Sequence, residues 1–172
     1  MNENIIEKQI FTYPILFKLI FRYGNIIVTP ILLLYTIPLI YFLSEKLIFV
    51  LPLLLNLAII YFLNRHYFNL YKILPYWIEA DNEKLICNQF FLSKREVIIY
   101  YSDIESLSGG VFENKLSGIM KICSQNNFVC IGFYQRLNNS GKLATIILSK
   151  VKRELYDEVI EKLKSGNKKV KK

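Results

Sequence analysis

Few side chains in this 172-residue chain are equipped for chemistry. The one histidine, His66, stands beside Arg65 directly after a long apolar run. A lone imidazole cannot build a multi-histidine metal site, and nucleophilic catalysis would need partners brought to it. Its expected role is an interfacial polar residue. Asp103 and Glu105 are two apart, a spacing that puts both carboxylates on one face of a strand, where an acid pair can share proton transfer. More commonly such acids bond nearby backbone groups or face water. Gly109-Gly110 lacks the Lys-Ser/Thr of a phosphate loop and opens no helical pattern, so it reads as a flexible connection. Cys87, Cys123 and Cys130 are odd in number and have no CxxC spacing. Each lies in an apolar or strand-like run, which predicts small buried hydrophobes with free thiols, in keeping with a reducing compartment. Asn138-Asn139-Ser140 matches a glycosylation triplet, silent on a cytoplasmic face. The expectation is a protein without catalytic residues, metal ligands, cofactor or enzyme activity.

The elements around these residues are far more informative. Apolar residues make up 53% of the chain, above the roughly 45–50% usual for soluble proteins. The excess is concentrated: residues 25–63 hold only the adjacent charges Glu45 and Lys46. Asn25 to Leu43 spans about 28 Å as a helix, and Leu47 to Leu63 about 26 Å, close to the bilayer's hydrocarbon thickness. Ser44-Glu45-Lys46 is so short a joint that the two must run antiparallel. The predicted organisation is a transmembrane hairpin over 25–63, with a kink at Pro38 that membrane helices tolerate. Lys8, Lys18 and Arg22 precede it, Arg65 and Lys72 follow it, and the turn holds only Lys46. Positive flanks stay inside, so both termini of an integral membrane protein are expected in the cytoplasm. Scarce alanine against abundant Ile, Lys and Asn points to an AT-rich genome, and with it to a bacterial inner or cell membrane. Residues 1–24 form a cytoplasmic N-terminal segment. Within it, residues 10–22 read either as an interfacial helix after Pro14 or as the start of a longer first span. Asn56 is the one strongly polar side chain well inside a span. It is a candidate intramembrane contact, to the facing helix or to another subunit.

Beyond Tyr71 short apolar runs alternate with turn residues. Strands are expected at Tyr76–Ala80, Lys84–Phe91, Arg95–Tyr101, Ile119–Cys123, Phe128–Phe133 and Leu143–Leu148, as an antiparallel meander. From Val151 to Lys164 apolar residues recur every four positions: Val151, Leu155, Val159 and Leu163. That is an amphipathic helix, with Ser149 as its cap and Gly166 just past its end. After Glu161 there is no acid, and Lys164, Lys168, Lys169, Lys171 and Lys172 form a basic tail over 166–172 and the turn before it. Such a tail is a candidate contact for anionic lipid headgroups. No arginine-rich or aromatic-interleaved stripe accompanies it, so nucleic acid is not an expected partner.

The run Ile99-Tyr100-Tyr101-Ser102-Asp103-Ile104-Glu105-Ser106-Leu107, a strand passing into an aromatic, an acid and an isoleucine, resembles the bacterial pleckstrin-homology-like domains of small membrane proteins. The resemblance covers residues 73–165. It implies a membrane α-hairpin plus an α+β or all-β soluble domain: a bent antiparallel β-barrel capped by a C-terminal α-helix. It implies little about activity, since such folds host many binding roles. With the hairpin and without a visible acid-base or metal cluster, the expected function is an anchored interaction or scaffold module working with the lipid bilayer and another membrane or cytoplasmic protein, homo-oligomers being compatible with it. Its alternative is a protein that recognises anionic lipid through the barrel and the Lys-rich tail. The hairpin turn Asp81-Asn82-Glu83 followed by a single Lys84 lacks the basic cluster of inositide-binding members, so no such residue is carried over.

Overall fold

The computed structural model describes residues 8–115, 117–125 and 129–169, the last four by backbone alone. The chain divides into two units. One is Ile15–Lys72; the other combines the residues up to Pro14 with those from Ile73 onward. The helical unit is therefore an insertion within the mixed unit, not a segment preceding it.

The helical unit consists of α1, Ile15–Leu43, and α2, Val50–Ile73. Both pass the length and hydropathy requirements for crossing a membrane. No separate interfacial helix is present: residues 15–24 are continuous with α1, which carries Pro30 and Pro38 inside it. Nothing from Ile15 to Tyr23 breaks a helix, and Pro14 stands just before the first turn, where its missing N–H costs nothing. At Gly24 a Cβ would meet the Tyr67 hydroxyl of α2 at 2.7 Å, so a side chain there would displace that ring.

The mixed unit holds two antiparallel sheets. The first is ordered β1-β2-β3-β4: Gln9–Thr12, Trp77–Ala80, Lys84–Asn88 and Val97–Tyr100. The second is β5-β6-β7: Ile104–Ser108, Ile119–Ser124 and Val129–Tyr134. Helices α3, Ser140–Lys150, and α4, Arg153–Lys169, follow. The period-two burial of β2, β3 and β6 is what one covered face requires. The core takes Ile78, Leu85 and Ile99 from the first sheet and Leu107, Ile122, Ile131 and Phe133 from the second. Leu143, Ile147 and Val159 from the helices are equally buried, as is Phe112 of the 3-10 turn Gly110–Glu113.

Several expectations are corrected here. Leu143–Leu148 is helical, not a strand: Leu143, Ala144 and Ile147 fall on one buried helical face. Ser149 does not cap α4; its hydroxyl donates to the Ile146 carbonyl at 2.8 Å within α3. Val151 ends α3 rather than starting the last helix, and Gly166 lies inside α4. Leu155 and Val159 are buried as the four-residue period requires. Gly109-Gly110 is not a flexible joint. Gly109 has φ 74°, and a Cβ there would collide with the Ile119 carbonyl, so the turn packed on β6 needs glycine. Cys123 and Cys130 are joined as a disulfide, and only Cys87 is a free, buried thiol. The two partners stand directly opposite in the β6–β7 register. Cross-strand pairing brings their side chains to one face, which spacing along the chain does not reveal.

Candidate functional site

Five polar side chains of the helical unit, Asn25, Thr29, Thr36, Asn56 and Asn64, bond one another between the two helices. Asn56 Nδ2 donates to the Thr36 hydroxyl at 2.7 Å and to the Leu32 carbonyl at 3.1 Å. Farther along, Asn25 Nδ2 donates to Asn64 Oδ1 at 2.9 Å, and Asn64 Nδ2 donates to the Thr29 hydroxyl at 3.1 Å. Thr29 in turn donates to Asn25 Oδ1 at 3.0 Å, closing a three-residue ring of hydrogen bonds. Asn56 thus meets the facing helix of its own hairpin. Asn25, Thr36 and Asn56 are buried, while Leu34, Leu47, Leu51 and Phe62 are more than half exposed. Helices that cross a bilayer require such an inversion, because an amide in hydrocarbon must find its partner within the protein, and these two are long and apolar enough to cross one. Asn25 and Asn64 were legible as polar residues flanking or just beyond the spans; only the helix pairing makes them a set.

In the mixed unit, register divides the first sheet into two ends. Thr12, Trp77, Asn88 and Val97 lie at one, with Trp77 paired to both Thr12 and Asn88. Gln9, Ala80, Lys84 and Tyr100 lie at the other. The chain leaves for α1 and returns from α2 at the Thr12–Trp77 end, here termed proximal. The distal end carries an open cleft of about 390 Å³ lined by Asn82, Glu83, Tyr100, Tyr101, Ser102 and Lys150. Lys150 Nζ donates to the Asn82 carbonyl at 2.8 Å and lies 5.8 Å from the Tyr101 ring centroid. Tyr101 donates to the Asp81 carbonyl at 3.1 Å, and burial pushes its phenol well above the usual range. The cleft offers one cation and several hydrogen-bonding groups, a recognition surface more than a reaction centre.

The other expected residues do not converge. Asp103 accepts from the Ser102 hydroxyl at 3.1 Å, whereas Glu105 is exposed beside a register shift between Ile104 and Ser106. Asp103 closes the 3-10 turn Tyr101–Asp103 while Glu105 belongs to β5, so the two do not share the period-two face of one strand. His66 is exposed on α2, with its ring set edge-on to Tyr67. Burial raises the Cys87 thiol far above its ordinary value, so it is protonated and inert at neutral pH. Among the described residues no group of three or more His, Cys, Asp or Glu side chains is arranged to hold a metal ion. Lys164 is exposed on α4; Lys168 and Lys169 belong to its backbone, and Lys171 and Lys172 lie outside the described residues. Two residues of the 10–22 segment, read from sequence as interfacial or spanning, instead tie it into the core of the mixed unit. Phe11 is buried in β1, and the buried Tyr13 hydroxyl accepts from the Tyr134 N–H at 2.8 Å.

No family model, curated protein or solved structure matches the chain.

Proposed function

We propose that this chain is a membrane-anchored interaction module: α1 and α2 span the bilayer, and the mixed unit is a pleckstrin-homology-like domain that binds a partner without catalysing a reaction. The observation that carries the reading is the inverted helical unit, which buries Asn25, Thr36 and Asn56 and leaves most of its large apolar side chains exposed. Four antiparallel strands followed by three and then by helices, in chain order, support the proposed domain type. The entry strand β1 precedes the hairpin, so the hairpin is spliced into the β1–β2 connection. Two chain crossings, from β1 and into β2, tether the domain through both strands rather than through a single linker.

Sidedness has two bearings on it. The Lys and Arg flanks favour a cytoplasmic mixed unit. The Cys123–Cys130 disulfide favours an oxidising compartment. We assign the cytoplasmic side on the charges, and the disulfide stands as the observation on the other side of the balance.

Extraction of native membranes with alkaline carbonate, followed by mild-detergent purification of the full chain, tests the proposal. The chain should stay with the membrane pellet and elute with a stoichiometric protein partner. Release into the carbonate supernatant would refute the anchor; a monodisperse chain with no partner would refute the interaction role.

A further inference from the structure

The loop between β3 and β4, Gln89 to Glu96, leaves the sheet at the proximal end, because Asn88 pairs with Trp77, which pairs with Thr12. The strand ends on either side of it, Asn88 and Val97, therefore share the sheet end of Thr12 and Trp77, the strand residues nearest in sequence to Pro14 and Ile73. The loop is built to present an apolar tip. Phe90 and Phe91 are buried and fix its base, and the Arg95 guanidinium lies 4.1 Å from the Phe90 ring centroid. Ser93 N–H donates to the Phe90 carbonyl and its hydroxyl accepts from Arg95 N–H, closing a tight turn. At its apex Leu92 is 86% exposed with φ 51°. A leucine is out of place there on both counts: the left-handed region suits Gly or Asn, and water suits neither its surface nor its position at a tip.

Charge surrounds that leucine. Lys94 and Arg95 are exposed beside it, and Glu96 is the one acid of the loop. A second proximal segment follows β7. Asn138 N–H donates to the Thr12 carbonyl at 3.0 Å, which holds the exposed Arg136 at the same end of the unit. At the distal end the β2–β3 turn carries Asp81 and Glu83 and no exposed apolar side chain. An apolar tip with a basic collar is what an anionic bilayer surface accommodates: the side chain enters the acyl boundary while the cations meet headgroup phosphates. Contact so close to the anchor points is intramolecular, so even weak intrinsic affinity suffices to populate it.

We infer that the Gln89–Glu96 loop is a bilayer-contacting tip, with Leu92 seated in the interface and Lys94, Arg95 and Arg136 on anionic phospholipid headgroups. The inference rests on the anchor proposed above and adds to it a second, reversible point of membrane contact. It would keep the proximal end against lipid and leave the distal cleft free for a protein.

The test uses the full chain in vesicles of phosphatidylcholine with or without phosphatidylglycerol. An environment-sensitive dye is placed singly by Leu92→Cys, Asn82→Cys or Leu34→Cys. In anionic vesicles the dye at 92 should be quenched by a lipid-borne quencher and shielded several-fold from an aqueous one. At 82 the dye should behave in the opposite way, and at 34 it should respond only to the lipid-borne quencher. Replacing Lys94 and Arg95 by Gln, or omitting phosphatidylglycerol, should reduce the shielding at 92 several-fold without changing 34. If 92 is as open to water as 82 while 34 is lipid-quenched, the loop does not touch the bilayer and the inference is overturned. If 34 is also open to water, the anchor reading fails and carries this inference down with it.

Discussion

The two units solve the same packing problem with opposite chemistry. In the helical unit the buried side chains include Asn25, Thr36 and Asn56 beside Leu39 and Leu70, and most of the other large apolar ones face outward. In the mixed unit Ile78, Leu107, Met120, Ile131 and Phe133 are fully buried, and Ser124 is the one polar side chain among its described residues that joins them inside. The difference teaches what each unit takes as its solvent. Burying a leucine is rewarded where water is outside; where hydrocarbon is outside there is no such reward, and hydrogen bonds and close contact hold the helices together. The side chains that look wrong in one unit are therefore the structural ones in the other.

The sharpest way to break this comparison is a matched pair of truncations. Phe133→Ala removes a fully buried ring and should cost about 3–5 kcal/mol, read from chemical unfolding of the mixed unit in detergent. Leu34→Ala, on the exposed face of α1, should leave both the unfolding midpoint and the helix content essentially unchanged. Equal losses from the two would mean that α1 is packed against protein on the face assigned to lipid.

A somewhat smaller effect is expected from excision. Joining Pro14 to Ile73 through a short Gly-Ser loop should yield a soluble, cooperatively folded mixed unit, because β1 still pairs with β2 from Thr12↔Trp77 to Gln9↔Ala80. A fragment starting at Ile73 loses Phe11, Tyr13 and the partner of β2, leaving an open strand edge prone to association. Gel filtration and thermal melting distinguish them; identical behaviour would show that β1 is dispensable.

Within the hairpin, Asn56→Leu removes two interhelical hydrogen bonds, to Thr36 and Leu32. Such bonds contribute about 0.6–2 kcal/mol in membranes, so the loss should be modest beside that of Phe133, and visible as a weaker helix–helix association in a steric-trapping or SDS-unfolding assay. A loss as large as that for the core phenylalanine would mean that the seam carries more than hydrogen bonding.

The smallest effect is a pH dependence confined to the mixed unit. Tyr13 and Cys87 have their acidities weakened, chiefly by burial, from ordinary values of 10.0 and 9.0. Both are neutral when protonated, and the unfolded chain releases these protons at lower pH than the folded one. The stability they hold is thus fully present below pH 9.0 and declines as the pH rises past 9.0 and then 10.0. Tyr13→Phe should flatten the upper part of that decline. Stability that increases over this interval would contradict the burial of both groups.

How much of this was legible in the sequence follows from how local each signal is. The apolar runs and the turn Ser44-Glu45-Lys46 announce the hairpin because thickness and charge exclusion act residue by residue. Strands β2, β3, β4, β6 and β7 were found to within a few residues from their turns, and Leu155 and Val159 from their four-residue period. What escaped is long-range. Gln9–Thr12 is too short to read as a strand until Trp77 pairs with it from across the hairpin. Ile146-Ile147 within Leu143–Leu148 favours a strand locally, and burial of one helical face overrides that preference. The Cys123–Cys130 pair and the Asn25–Asn64 bond depend on register and helix pairing, which spacing does not encode. Leu92 looked like an ordinary turn residue; its exposure and its place at the proximal end give it interest.

The central claim is that the turn after α1 and the mixed unit lie on opposite faces of a bilayer, and one measurement addresses it directly. Cysteines introduced singly at Glu45 and at Asn82 are challenged in intact cells with a membrane-impermeant thiol reagent, labelling of the unaltered chain being subtracted, and again after permeabilisation. The account predicts that residue 45 labels in intact cells and residue 82 labels only after permeabilisation. Equal labelling of the two positions in intact cells would contradict it.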